Sequence, residues 1–238
     1  MALLLLALVA AAGCTGRHSP PLLGPILERA GLAEVPLDEG TIASALREAL
    51  QLGTERAVEQ ASAPGAFLER PEIRIGLPER LQPVADALRR VGFGSNVDQL
   101  EIGMNRAAEL AAGEALPVLA DALARMTITD ARSILEGGQT AATDFFRRTS
   151  EAALRDRLRP LAREKLEEIR FFEDYARAAD LAASLPFLSL PDLSLEGYVA
   201  QRTAEGLFTL LAEEERRIRR DPAARVTPLL RRVFGRSS

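Results

Sequence analysis

The sequence predicts an all-α fold: a single multi-helix bundle with short connections, set behind an N-terminal signal and a tether. Three observations carry this expectation. From about residue 38 onward, apolar residues recur at helical spacing. Aromatic residues make up only 5% of the chain and tryptophan is absent, while alanine and leucine dominate, a composition that suits helices better than sheets. The periodic segments are separated by short Pro- and Gly-containing turns, with no solenoid-length repeat, as in a bundle of adjacent helices.

The elements follow in order. Asp38 is placed to cap a first helix, in which Ile42, Ala45, Leu46, Ala49, Leu52 and Val58 share a face and which Pro64-Gly65 stops. In "FLERPEIRIGLPERL", Ile73 and Ile75 alternate with charged or small residues, so a short extended piece is expected between Pro71 and Pro78. A second helix is expected from about Pro78 to Val91, with proline in its first turn. Ser95 in "GFGSNVDQ" is the expected cap of a helix over about 96–112. Its stripe is Val97, Leu100, Met104, Ala107 and Ala111, and its small residues, Gly103 among them, invite close packing. Pro117 opens a helix ending near Met126. Thr129 is the expected cap of the short helix "DARSILEG", closed by Gly137-Gly138. Thr140 to about Ser184 reads as helical with breaks near Thr149 and Pro160. Its last part places Leu161, Ile169, Phe172, Ala176, Ala179 and Ala183 on one face. Asp192 is the expected cap of a long helix to Arg220, ended by Asp221-Pro222, and Thr227-Pro228 opens a final short helix.

The N-terminus gives the location. Ala2 to Ala12 are all apolar and are followed by Gly13 and Cys14. Eleven apolar residues make about 16 Å of helix, too short for a bilayer core of about 30 Å but suited to a secretory signal. Ala11-Ala12-Gly13-Cys14 resembles a bacterial lipobox, in which the cysteine becomes the acylated N-terminus. The usual leucine three places before the cysteine is Ala11 here, and no basic residue precedes Arg17, so the basic n-region is expected from an upstream start. The expected division is residues 1–13 as signal peptide, 14–37 as acylated Cys14 and flexible tether, and 38–238 as the helical domain. The expected partner of Cys14 is membrane lipid, on the periplasmic side. Thr15 follows the cysteine where aspartate would retain a lipoprotein at the inner membrane, and so the resemblance implies the outer membrane rather than the inner one.

Residue types limit the chemistry. The single histidine, His18, lies in the tether, and Cys14 is the single cysteine. A helical domain without either residue cannot build a Ser-His-Asp or Cys-His site, nor the imidazole and thiolate set typical of zinc. No GxxxxGK[ST] phosphate loop or GxSxG elbow occurs. No cofactor and no metal is expected. The net charge of −4 gives no basic field for nucleic acid. Carboxylates remain as candidate acid and base groups.

Four polar residues are candidates for a polar cleft: Glu101, Asn105, Glu109 and Glu214. The first three lie four apart on one helix face bordering an apolar stripe, where they could equally form a solvated flank. Glu214 falls with Leu207, Leu211 and Ile218 where an apolar residue is expected, and would there need an arginine or hydroxyl partner. Glu213–Arg217 and Glu215–Arg219 read as i,i+4 pairs. "RRIRRDPAARVTPLLRRVFGR" carries eight arginines against one aspartate and could meet an envelope protein or anionic lipid, or simply end a solvated helix. Phe145 and Phe146, beside Arg147 and Arg148, are expected in the core rather than stacked on a nucleotide.

"LEIGMNRAAE", "MTITDARSILEGG", "AATDFFRRT", "GLFTLLAEEERRIRRDP" and "LLRRVFG", in that order from about Thr41 to Gly235, resemble the bacterial domain-of-unknown-function family numbered 4197. The resemblance implies an all-helical, often exported protein and brings no activity, cofactor or site residue. The leading expectation is a lipid-anchored, non-enzymatic envelope protein that binds a protein partner or small ligand. The alternative is a carboxylate-based periplasmic hydrolase using Glu101, Glu109 or Glu214.

Overall fold

The computed structural model describes residues 38–184 and 193–220. The described residues form eight α-helices and no strand: α1 (Glu39–Ser62), α2 (Gln82–Arg90), α3 (Gly94–Ala112), α4 (Leu116–Ala124), α5 (Ile128–Glu136), α6 (Ala141–Glu168), α7 (Phe171–Ala183) and α8 (Leu195–Arg220). Single 3-10 turns precede α2 (Glu79–Leu81) and α4 (Gly113–Ala115). The expected signal, Cys14, the tether with His18, the Asp192 cap and the helix opened by Thr227-Pro228 lie outside the described residues. No described helix is long and apolar enough to cross a membrane.

Four long helices, α1, α3, α6 and α8, make the core. α3 runs through its middle: Met104, Ala107, Ala108, Ala111 and Ala112 are fully buried. Its small residues let neighbours approach. A Cβ on Gly103 would lie 2.8 Å from Cδ2 of Phe171, so only glycine leaves room for that ring. Phe145 and Phe146 are both buried and meet edge to face, as expected of core residues. Arg147 stacks over Phe208 at 4.6 Å from the ring centroid.

Helix ends follow local chemistry, in places not the expected one. Asp38 caps α1, accepting from Thr41 N at 2.7 Å, and this bond holds its carboxyl below the ordinary aspartate range. α5 is capped by Thr127 and not by Thr129. Thr127 Oγ1 accepts from Asp130 N at 3.1 Å while Asp130 Oδ2 accepts from Thr127 N at 2.9 Å, a reciprocal box that Thr129 could not make. Ser95 does not cap α3. The helix begins at Gly94, with Phe93 at its cap and no side-chain cap bond.

The long helical stretch breaks at a different place. α6 runs unbroken through Thr149 and Pro160. Thr149 keeps its hydroxyl on the carbonyl of Phe145 at 2.8 Å. Pro160 is exposed, so the carbonyl its ring leaves unpaired can face solvent. The break comes at Arg170, whose φ of 59° turns the chain left-handed. That turn resets the helical phase. Ala162, Leu166, Phe171, Ala178 and Ala182 are buried instead of the expected face, and Ala176 and Ala183 are exposed.

Candidate functional site

The row on α3 meets the chain's own backbone. Between α1 and the 3-10 turn at Glu79, residues 63–78 are irregular, and the extended piece expected around Ile73 and Ile75 forms no strand. This segment nevertheless buries Phe67, Ile73, Ile75 and Leu77. Buried irregular backbone must find partners from side chains. Asn105 supplies two at once. Its Oδ1 accepts from Ile75 N at 2.9 Å, and its Nδ2 donates to Ile75 O at 2.8 Å and to Glu101 O at 2.7 Å. Glu109 Oε1 accepts from Phe67 N at 3.3 Å, and its Oε2 pairs with Arg106 Nη1 at 3.1 Å. Glu101 sits between Arg74 and Arg89, both at 3.2 Å. From α8, Tyr198 donates to Gly76 O at 2.9 Å. Burial pushes the Tyr198 phenol above its ordinary range, so it stays a donor. The ring of Phe67 lies on Gly206, where a Cβ would come within 2.6 Å of it. The segment is thus strapped between α3 and α8 by polar bonds and one buried ring.

Glu214 does not join that row. It is buried on the packed face of α8, accepts from Gln60 Nε2 of α1 at 2.8 Å and pairs with Arg217. Arg217 therefore does not pair with Glu213, which lies 3.8 Å from Arg70. The buried carboxylate takes the guanidinium because it has fewer alternatives than the half-exposed one.

Glu215 does more than its i,i+4 spacing suggested. It pairs with Arg219 at 2.9 Å and is buried. Its Oε1 also accepts from Ala142 N at 3.0 Å, and its Oε2 accepts from Thr143 N and Thr143 Oγ1, each at 2.9 Å. Thr140, at the start of α6, makes no side-chain cap bond. The unpaired N–H groups of α6 are therefore capped by a carboxylate from α8, with the helix dipole in favour. Arg219 Nη2 donates onward to Ile134 O in the last turn of α5 at 2.8 Å. Thr143 is 72 residues from Glu215 in sequence, so no local signal marks this cap.

A different region is open. Arg47, Gln51, Thr54 and Glu55 of α1 face Leu116, Ala120, Leu123 and Ala124 of α4 across a groove of about 370 Å³. The apolar crevices elsewhere hold about 20 Å³ each. Pockets of roughly 300–1,000 Å³ with an apolar wall and a few polar groups are the usual form of small-molecule sites. Arg47 is half-buried and aimed by one bond, Nη2 to Met126 O at 2.6 Å. No carboxylate among the described residues lies in ion-pair range of it. Gln51 Nε2 donates to Glu55 Oε1 at 3.0 Å.

Thr54 is the unusual member. It is 2% exposed, and its hydroxyl has no partner among the described residues. Thr149, Thr203 and Thr209 all place their hydroxyls on the carbonyl four residues back; Thr54, in the middle of α1, does not. Two other covered polar atoms are also unpartnered among the described residues, Arg70 Nη1 and Arg202 Nε. Those guanidinia also face carboxylates, Glu213 and Glu205, whereas the whole polarity of Thr54 is unmatched. The sequence signal for Thr54 was a hydroxyl in register with Leu50, Val58 and Ala61 on the buried face of α1. Among the described residues no group of three His, Cys, Asp or Glu side chains is placed to hold a metal ion.

The family model described as "Protein of unknown function (DUF4197)" matches residues 36–235, and the chain belongs to that family. No curated protein and no solved structure matches it.

Proposed function

We propose that this chain is an exported envelope protein, anchored by acylated Cys14 on the periplasmic side, whose helical domain binds a small ligand without transforming it. The observation that carries the binding reading is the α1–α4 groove, with an aimed guanidinium, an unmatched hydroxyl and an apolar opposite wall. The non-catalytic part rests on the state of the carboxylates. Glu109, Glu214 and Glu215 spend their oxygens on backbone N–H groups, Gln60 and arginines, so a general acid or base among them would have to leave a structural bond first. The anchoring and the outer-membrane location rest on "AAGCT" at residues 11–15 alone.

The test has two parts. In cells fed labelled palmitate, the wild type expressed from its native gene should take up label and fractionate with the outer membrane, and Cys14→Ser should do neither; an unlabelled wild type overturns the anchor. Melting of the purified full chain against a set of small envelope metabolites should show ligand-dependent stabilisation that Ala120→Leu, on the exposed groove wall, removes. Equal stabilisation of both proteins overturns the groove as the site.

A further inference from the structure

The groove is polar along one wall and apolar along the other, and its charges are separated by sign. Arg47 stands toward one end of the α1 wall and Glu55 toward the other, with Thr54 beside Glu55. Eight helical positions separate Arg47 from Glu55, about 12 Å at about 1.5 Å per residue. Neither charge has a counter-charge within ion-pair range among the described residues; Glu55 has only its bond from Gln51. A simple fatty acid would satisfy Arg47 and lay its tail on Leu116, Ala120, Leu123 and Ala124. Its far end would then put apolar carbon against Thr54 and Glu55. A sugar would satisfy the hydroxyl and leave both charges unanswered.

Resting on the binding reading above, we propose that the groove takes a tripeptide with free termini and small apolar side chains. Its carboxylate forks onto Arg47, whose guanidinium is already aimed by Met126 O. Its ammonium meets Glu55, and the N-terminal peptide group hydrogen-bonds the Thr54 hydroxyl. Three extended residues span about 10 Å, which brings both termini within side-chain reach of their partners. The backbone edge of the peptide faces the polar α1 wall, and alternate side chains face the alanines and leucines of α4.

The test is calorimetric titration of the full chain with Ala-Leu-Ala, N-acetyl-Ala-Leu-Ala and Ala-Leu-Ala-amide. The free tripeptide is expected to bind with a Kd of order 10–100 μM, and either blocked form to bind at least about tenfold more weakly. Glu55 is exposed, so Glu55→Gln should keep wild-type melting while losing about tenfold for the free tripeptide and nothing for the N-acetylated one. Equal binding of all three peptides shows that the charged ends are not read and overturns the proposal. So does silence toward the free tripeptide at millimolar concentration. If another small molecule still stabilises the wild type and not Ala120→Leu, the peptide assignment falls and the binding reading stands; if nothing does, both fall.

Discussion

The strap around residues 63–78 and the groove between α1 and α4 are both lined by polar side chains, and they differ in how far those groups are satisfied. In the strap, Asn105 accepts from Ile75 N with its carbonyl and donates its amide hydrogens to Ile75 O and Glu101 O. Both oxygens of Glu109 are taken, by Phe67 N and Arg106. In the groove, among the described residues, a covered hydroxyl has no partner and two opposite charges have no counter-charge. An unsatisfied buried polar group costs about 1–3 kcal/mol, so a chain that keeps one in an open groove keeps it against stability. Polarity at a helix face therefore separates into two kinds: groups that complete the fold and groups left over for something else.

The largest expected effect lies with the first kind. Glu215→Ala should destabilise by about 3–5 kcal/mol, because it strands Arg219 and uncaps α6 together. Chemical denaturation measures it, and a loss under about 1 kcal/mol would show that α6 finds another cap. Next comes Glu214→Gln, at about 1–3 kcal/mol, since the amide keeps a bond to Gln60 but not the pairing with Arg217. Glu214→Leu should be milder, because half-exposed Arg217 can turn to solvent. Should either change leave stability untouched and abolish ligand binding, Glu214 belongs with the groove's kind and the comparison fails there.

A smaller effect concerns the α5 cap. Thr127→Ala should cost about 1 kcal/mol near neutral pH. The side-chain bond from Thr127, then its backbone bond, hold Asp130 below the ordinary aspartate range. A depressed carboxyl stabilises the fold above its unfolded pKa, and that contribution is lost as pH falls through the folded value. The difference between wild type and Thr127→Ala should therefore shrink on acidification below about pH 4, as denaturation series at stepped pH would read. A difference that grows in acid would mean that Asp130 is not the partner.

Legibility in the sequence followed the range of the interaction. The Asp38 cap, the stop at Pro64-Gly65 and the closely packed α3 are local features, and the sequence carries them in a few adjacent residues. The Thr127 box is equally local, but Thr129 offers a hydroxyl two places on, and only the pairing with Asp130 separates them. The Arg170 turn has no glycine or proline to mark it, while Pro160, which reads as a break, is harmless on an exposed face. For the polar row, periodicity placed Glu101, Asn105 and Glu109 at the edge of the core, yet Asn105 and Glu109 bond irregular backbone 30 and 42 residues away, and Glu101 pairs with Arg74 and Arg89. Glu215 and the groove depend on helix pairs that no local pattern names.

The division between satisfied and unsatisfied polarity is tested most directly by one pair of denaturation curves, Asn105→Leu and Thr54→Val against the wild type. Asn105→Leu strands the buried N–H and C=O of Ile75 and should lose about 3 kcal/mol. Thr54→Val removes a hydroxyl that bonds to nothing among the described residues, at nearly constant shape, and should lose nothing and gain up to about 1 kcal/mol. A Thr54→Val protein that loses as much as Asn105→Leu, or an Asn105→Leu protein as stable as the wild type, would contradict it.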